Sequence, residues 1–214
     1  MKIILPYLNE TELFKEAKKK LEETTPKEVE LICVHDKEKK GFSAMVNEYF
    51  GTDDIILWHT DLIPTENWYN ELMKYYYKAD IIGCKLVYPD GLIQHYGGFI
   101  RGDGVGDHPD AGFKDIGYNK PRECLFITFA GCLIKKEVKI KIDENYLSGY
   151  FGDVDHCFQA RKQGFKLLVV PVKLIHHESV DNAKANPNQL KDMKNNVARF
   201  QAKWMSELSK GLYK

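Results

Sequence analysis

Two carboxylates sit where a buried apolar run meets a polar turn, and each is placed to do chemistry. Asp61 follows the apolar run Ile55–Trp58 in Ile-Ile-Leu-Trp-His-Thr-Asp-Leu-Ile-Pro. Asp153 opens a helix in Ser148-Gly-Tyr-Phe-Gly-Asp-Val-Asp-His-Cys-Phe-Gln-Ala-Arg-Lys-Gln-Gly164. In an open α/β sheet, ligands bind at the carboxyl ends of strands, beside the helix starts. Two isolated acids on such a rim predict a metal ligand at Asp61 and a general base at Asp153. Asp155 lies two residues on and points elsewhere on the helix. Both acids also suit a helix N-terminus electrostatically, and Asp61 also suits a turn before Pro64.

Histidines supply the other ligand type. His59 is within reach of Asp61 and could serve as a further ligand or pack at the rim. His176 and His177 follow the last apolar run, and Gln94-His95 and His108 flank a Gly-rich stretch. Gly102-x-Gly104-x-Gly106 is not a dinucleotide fingerprint, because no helix follows it.

These residues need a framework of alternating elements. Lys2–Leu5 reads as a strand, followed by a helix that Asn9 caps with Glu12 as its capping-box partner. Leu13, Phe14, Ala17 and Leu21 form that helix's apolar face. Glu30–Val34 and Ile55–Trp58 read as buried strands with a helix over Phe42–Phe50 between them. Thr65 is expected to cap a helix over Trp68–Tyr77. Ile81–Val87 is a strand, and Ile93–Ile100 is another with Gly97-Gly98 as a bulge. Arg101–Glu123 lacks periodicity, and loops this long are usually functional or mobile. Leu125–Ile134 is apolar; the 151–164 helix, strand Leu167–Val170 and the run at Leu174 follow. From about Gln189 a helix carries Leu190, Met193, Val197, Phe200, Trp204 and Leu208 on one face. The alternation predicts an α/β fold with a mostly parallel central sheet flanked by helices. Residues 1–180 form the domain, and 181–214 a C-terminal amphipathic helical extension.

Composition narrows the function classes. The 214 residues carry 31 basic and 31 acidic side chains, which argues against a nucleic-acid partner. Five cysteines without a CxxC pair fit buried, reduced thiols and a cytoplasmic setting. No run approaches the roughly 20 apolar residues of a membrane span. The basic amphipathic tail is compatible with core packing, a homo-oligomer interface or peripheral contact with the inner face of a membrane.

The order of motifs is more specific than any one of them. Leu5-Pro-Tyr-Leu-Asn-Glu, Asp36 after the second strand, His59-Thr-Asp-Leu-Ile-Pro, Tyr88-Pro-Asp-Gly-Leu-Ile-Gln-His-Tyr-Gly-Gly, Gly106-Asp-His, Thr128-Phe-Ala-Gly-Cys-Leu-Ile-Lys-Lys-Glu, Tyr150-Phe-Gly-Asp-Val-Asp and His176-His-Glu-Ser follow one another. In this order the chain resembles the family 2 glycosyltransferases of the GT-A fold, particularly the rhamnosyltransferase-like branch, from Lys2 to about Ser179.

The resemblance implies an inverting transferase that moves a sugar from a UDP- or dTDP-linked donor to a hydroxyl of a glycan, lipid-linked or protein acceptor. It implies a Mn²⁺ or Mg²⁺ ion on the donor diphosphate. The family's DxD-type motif reads His59-Thr60-Asp61 here, which keeps only the last acid, and Gly152 stands where the family often has Glu. Pro6, Leu8, Asn9 and Asp36 are the implied nucleoside contacts, with His59 and Asp61 at the diphosphate. Asp61 and His177 are the implied metal ligands, with His177 preferred over His176. Asp153 is the implied base; His95, His108 and Asp155 are the implied acceptor contacts. The two departures leave a non-catalytic sugar-nucleotide or glycan-binding module as the alternative. A sugar nucleotidyltransferase is a weaker one, since no Gly-rich basic phosphate loop follows the first strand.

Overall fold

A computed structural model describes residues 1–178 and 188–211. The chain runs β1 (Lys2–Tyr7), α1 (Glu12–Thr24), β2 (Glu30–His35), α2 (Phe42–Val46), β3 (Ile55–Leu57), β4 (Leu62–Pro64), α3 (Trp68–Met73), β5 (Ile81–Val87), β6 (Ile93–His95), β7 (Phe99–Ile100), β8 (Gly106–Asp107), β9 (Cys132–Ile134), α4 (Gly152–Lys162), β10 (Leu167–His176) and α5 (Gln189–Ser209).

The central sheet has the order β2-β1-β3-β9-β5-β10-β4, with β6 on β5. β1 pairs in parallel with β2 and β3, and β5 with β10. β9 runs antiparallel to both β3 and β5, so those two strands share a direction. Five strands therefore point one way, as the sequence alternation predicts, and their carboxyl ends form one rim.

Period-2 burial divides the core. Ile3, Leu5, Ile56 and Trp58 face Phe14 and Leu21 of α1 and Trp68 and Leu72 of α3. Ile4, Ile55 and Leu57 face the other way, toward Val46, Val154, Phe158 and Phe200. Successive strand residues point to opposite faces, so an apolar run with no polar alternation has to be covered on both sides.

The last helix belongs to this core. Phe200 and Trp204 are 0% and 2% exposed, and both rings pack on Phe158 of α4, at 5.2 and 5.5 Å. Its first turn does not share in this, since Leu190 is 72% exposed. The 180/181 boundary and Ser179 lie outside the described residues.

Several local expectations change. Thr11, not Asn9, caps α1, its hydroxyl accepting from Phe14 N at 3.2 Å. α2 and α3 end at Val46 and Met73, and Thr65 instead donates its hydroxyl to Lys173 O at 2.7 Å. The 93–100 segment breaks at Gly97-Gly98, and Phe99–Ile100 pairs with β8 in a separate ribbon. The two runs after α4 form one continuous strand, β10.

One buried and one half-buried cation shape the 101–123 loop. Lys85 Nζ reaches Asp115 Oδ1 at 2.6 Å and Tyr118 O at 2.9 Å. Arg122 pairs with Asp110, donates to Tyr96 O at 2.5 Å and covers the Tyr96 ring at 4.6 Å. An aperiodic segment thus takes one shape through charge-assisted bonds.

Candidate functional site

The rim gathers His59, Asp61 and His176, whose ligand atoms all lie within 4.8 Å of one another. Trp58 N bonds Ile4 O at 2.9 Å, extending β3 to the edge, and the chain then turns through His59 and Asp61 into β4. β4 pairs antiparallel with β10, setting His176 opposite Leu62. His177 N donates to Asp61 O at 2.9 Å. The ring that joins the cluster is therefore that of His176, whereas the sequence reading preferred His177. A one-residue shift in a strand exchanges the two faces.

The donors suit a cation. His176 Nδ1 lies 2.5 Å from Gln94 Oε1, which can only accept, so this nitrogen carries the proton. Its Nε2 then faces Asp61 Oδ1 at 3.2 Å. A neutral ring would set a lone pair against a carboxylate there, an arrangement that a bound cation relieves. Fixing one imidazole nitrogen through a hydrogen bond is a common way to orient a metal-ligating histidine. Burial pushes His59 down to about 4, against the opposing pull of Asp61. Its imidazole is uncharged near neutrality and free to coordinate. Phe42 packs edge-on against it at 5.3 Å.

Asp153 opens α4 after Phe151, which takes φ 66°. Its Oδ1 accepts from Val154 N at 2.8 Å. Burial raises its pKa to about 7, with that bond opposing the rise. A carboxylate tuned near neutrality has the property a general base needs. Val154 and Phe158 of the same helix pack on the sheet face that carries Leu57.

Asp155 has a different position from the one expected. It is 0% exposed and accepts from Trp204 Nε1 at 2.6 Å, Lys203 Nζ at 2.8 Å, Gln159 Nε2 at 2.7 Å and Tyr146 Oη at 3.3 Å. Its oxygens are committed to α5, so it anchors that helix and does not present itself to an acceptor.

Asn196 was not singled out by sequence. It is 2% exposed; its amide accepts from Leu147 N at 3.2 Å and donates to Leu147 O at 2.7 Å and Tyr150 O at 2.9 Å. It grips the turn that precedes Asp153, where Ser148 holds φ 55°. A polar residue on the apolar stripe, four before Phe200, was the available signal.

The remaining expected contacts are spread along the edge of β1 and β2 and on β6. Asp36 is 8% exposed, and its two oxygens accept from Lys40 N at 2.7 Å and Gly41 N at 2.8 Å. It closes its own basic loop, with lone pairs remaining. Pro6 is buried, while Leu8, 43% exposed, and Asn9 face solvent. Between them Tyr7 stacks on His35 at 4.7 Å. His95 is buried and meets His108, the Nδ1 atoms 2.7 Å apart.

No family model matches the chain. It is 29% identical over 151 residues to the uncharacterized protein y4gI of Sinorhizobium fredii, covering 64% of this chain and 17% of that one. It is 28% identical over 127 residues to the O-antigen biosynthesis protein RfbC of Myxococcus xanthus, covering 53% of this chain and 10% of that one. The chain thus spans a small fraction of the length of these curated relatives. A crystal structure of GalNAc-T7 with UDP, GalNAc and Mn²⁺ superposes with a TM-score of 0.74 at 11% identity, covering 96% of this chain and 49% of that one. The strand order, the rim and this superposition agree: the chain has the GT-A glycosyltransferase fold.

Proposed function

We propose that this chain is an inverting glycosyltransferase that takes a sugar from a UDP- or dTDP-linked donor to a hydroxyl of a glycan, lipid-linked or protein acceptor. The observation that carries it is the His59–Asp61–His176 cluster at the carboxyl-end rim of a GT-A sheet, and Asp153, raised by burial to about 7 at the start of α4, supports it. RfbC's role in O-antigen biosynthesis, as its name states, supports polysaccharide biosynthesis as the setting. The UDP and Mn²⁺ bound by GalNAc-T7 support a nucleotide-linked donor.

His59, Asp61 and His176 would hold a divalent ion. Two imidazoles and one carboxylate favour Mn²⁺ over Mg²⁺, which prefers an all-oxygen shell. When bound, the ion supplies charge neutralisation to the leaving diphosphate. Pro6, Leu8, Asn9 and Asp36 would flank the nucleoside. Asp153 takes the proton of the acceptor hydroxyl as its oxygen bonds the anomeric carbon. The bond from that carbon to the diphosphate oxygen breaks, and a nucleoside diphosphate leaves. Among the described residues no helix is long and apolar enough to cross a membrane, so a lipid-linked acceptor would be met at the bilayer surface.

Calorimetric titration of UDP, dTDP, GDP and CDP, each with Mn²⁺ and with EDTA, tests the reading on wild type and Asp61→Ala. One uridine or thymidine diphosphate should bind with metal and lose that binding in the variant. Absence of binding by all four would favour a non-catalytic glycan-binding module.

A further inference from the structure

His95 and His108 form a pair that neither the proposed diphosphate site nor the base uses. Their Nδ1 atoms lie 2.7 Å apart, so one of them carries a hydrogen and the other accepts it. A third group decides which. Gly97 N lies 3.3 Å from His95 Nε2, and a backbone amide can only donate. His95 Nε2 therefore accepts, and its proton sits on Nδ1. His108 Nδ1 then accepts in turn, which leaves the His108 proton on Nε2. Burial lowers the pKa of both rings, consistent with two neutral imidazoles.

The glycine pair of the Gln94-His-Tyr-Gly-Gly motif makes this geometry. Gly97 has φ +85°, and a Cβ there would meet Cys124 at 2.8 Å. A Cβ on Gly98 would meet the Phe126 ring at 2.1 Å. Without side chains, the backbone folds its amide back onto His95. Phe126 lies flat on Gly98 and edge-on against His108, at 5.4 Å. His95 is buried and His108 half-buried. Nε2 of His108 has no hydrogen-bond partner among the described residues. The pair borders the site: Gln94, one residue away, holds His176.

We infer that His108 is a ligand-contacting residue, held by His95 as a neutral Nε2–H donor toward an oxygen of the bound substrate. His95 is its positioning residue. This rests on the transferase reading for the location of the ligand. A phosphoryl oxygen of the donor and a sugar hydroxyl offer the same acceptor chemistry, and the test separates them.

Long-range proton–nitrogen spectra of the full chain read both tautomers. His108 should be protonated at Nε2 and His95 at Nδ1. His95→Asn keeps a donor toward His108 and should preserve its tautomer; His95→Ala should release it to a mixture. Addition of UDP with Mn²⁺ should shift the His108 Nε2 signal if a phosphoryl oxygen is the partner. A response only to glucose, galactose, N-acetylgalactosamine or rhamnose would assign the sugar hydroxyl. His108→Phe retains the packing on Phe126 and should weaken whichever probe responds by about tenfold. A His108 proton on Nδ1 overturns the inference. So does a His108 signal that no probe moves while His59 and His176 respond to UDP and Mn²⁺. If those two histidines also stay silent, it is the transferase reading that fails.

Discussion

Asp153 and Asp155 stand two residues apart on α4 in opposite settings. Asp155 is enclosed by Lys203, Trp204, Gln159 and Tyr146. Asp153 accepts from the adjacent amide of Val154, with a pKa raised by burial to about 7. One acid fastens the last helix, and the other stays available to take a proton.

The raised pKa fixes a pH profile. With an acceptor and donor in hand, kcat/KM should rise about tenfold per pH unit below 7 and level off above it. Asp153→Asn should lose about 10²–10⁴-fold in kcat. A rate independent of pH between 5 and 8 would exclude Asp153 as the base.

The same shift has a stability consequence with a definite sign. Between the ordinary carboxylate value of 3.8 and about 7 the folded state holds a proton that the unfolded chain has released. Stability conferred through Asp153 therefore falls as pH rises across that window. Asp153→Asn should be more stable than wild type at pH 8 by about 1–3 kcal/mol, less than the full shift would give because the residue is only half-buried. Urea unfolding at pH 5 and pH 8 reads the difference, which should shrink at the lower pH.

Asp155→Ala removes the partner of a lysine and a tryptophan and should cost about 3–5 kcal/mol. Limited proteolysis should then cut α5 first. Asn196→Ala loses the grip on the 147–150 turn. It should lower kcat more than it lowers Tm, because the strained turn sets the start of α4.

Metal binding is checked by thermal shift. Mn²⁺ should raise the Tm of wild type, with EDTA reversing the rise. A ligand at a hundred times its Kd adds about 2.7 kcal/mol of stability. His176→Ala should abolish the effect and His177→Ala should leave it intact.

The sequence made the rim legible because strand ends and helix starts are local signals. Asp61 and Asp153 could be placed from apolar runs and turn residues alone. The choice between His176 and His177 could not, since it depends on the pairing of β10 with β4 across more than a hundred residues. The role of Asp155 was hidden for the same reason: its partners Lys203 and Trp204 lie 48 and 49 positions on. Asn9 and Thr11 are both cap-forming types, and local backbone geometry chose the second. The 101–123 loop has no periodicity to read because Lys85 and Arg122, not a repeating apolar face, give it shape.

The grip of α5 on α4 sets an order of events during synthesis. α5 follows every other described element, and a ribosome holds the most recent stretch of chain out of folding reach. A nascent polypeptide can complete its sheet while the 147–150 turn still lacks Asn196 and Asp155 still lacks Trp204. The corner at the start of α4 should mature last, after the strands and their carboxyl-end rim are in place. A chain truncated after Glu178, which has every strand but not α5, should then be sensitive to protease around α4, and the full chain should resist it.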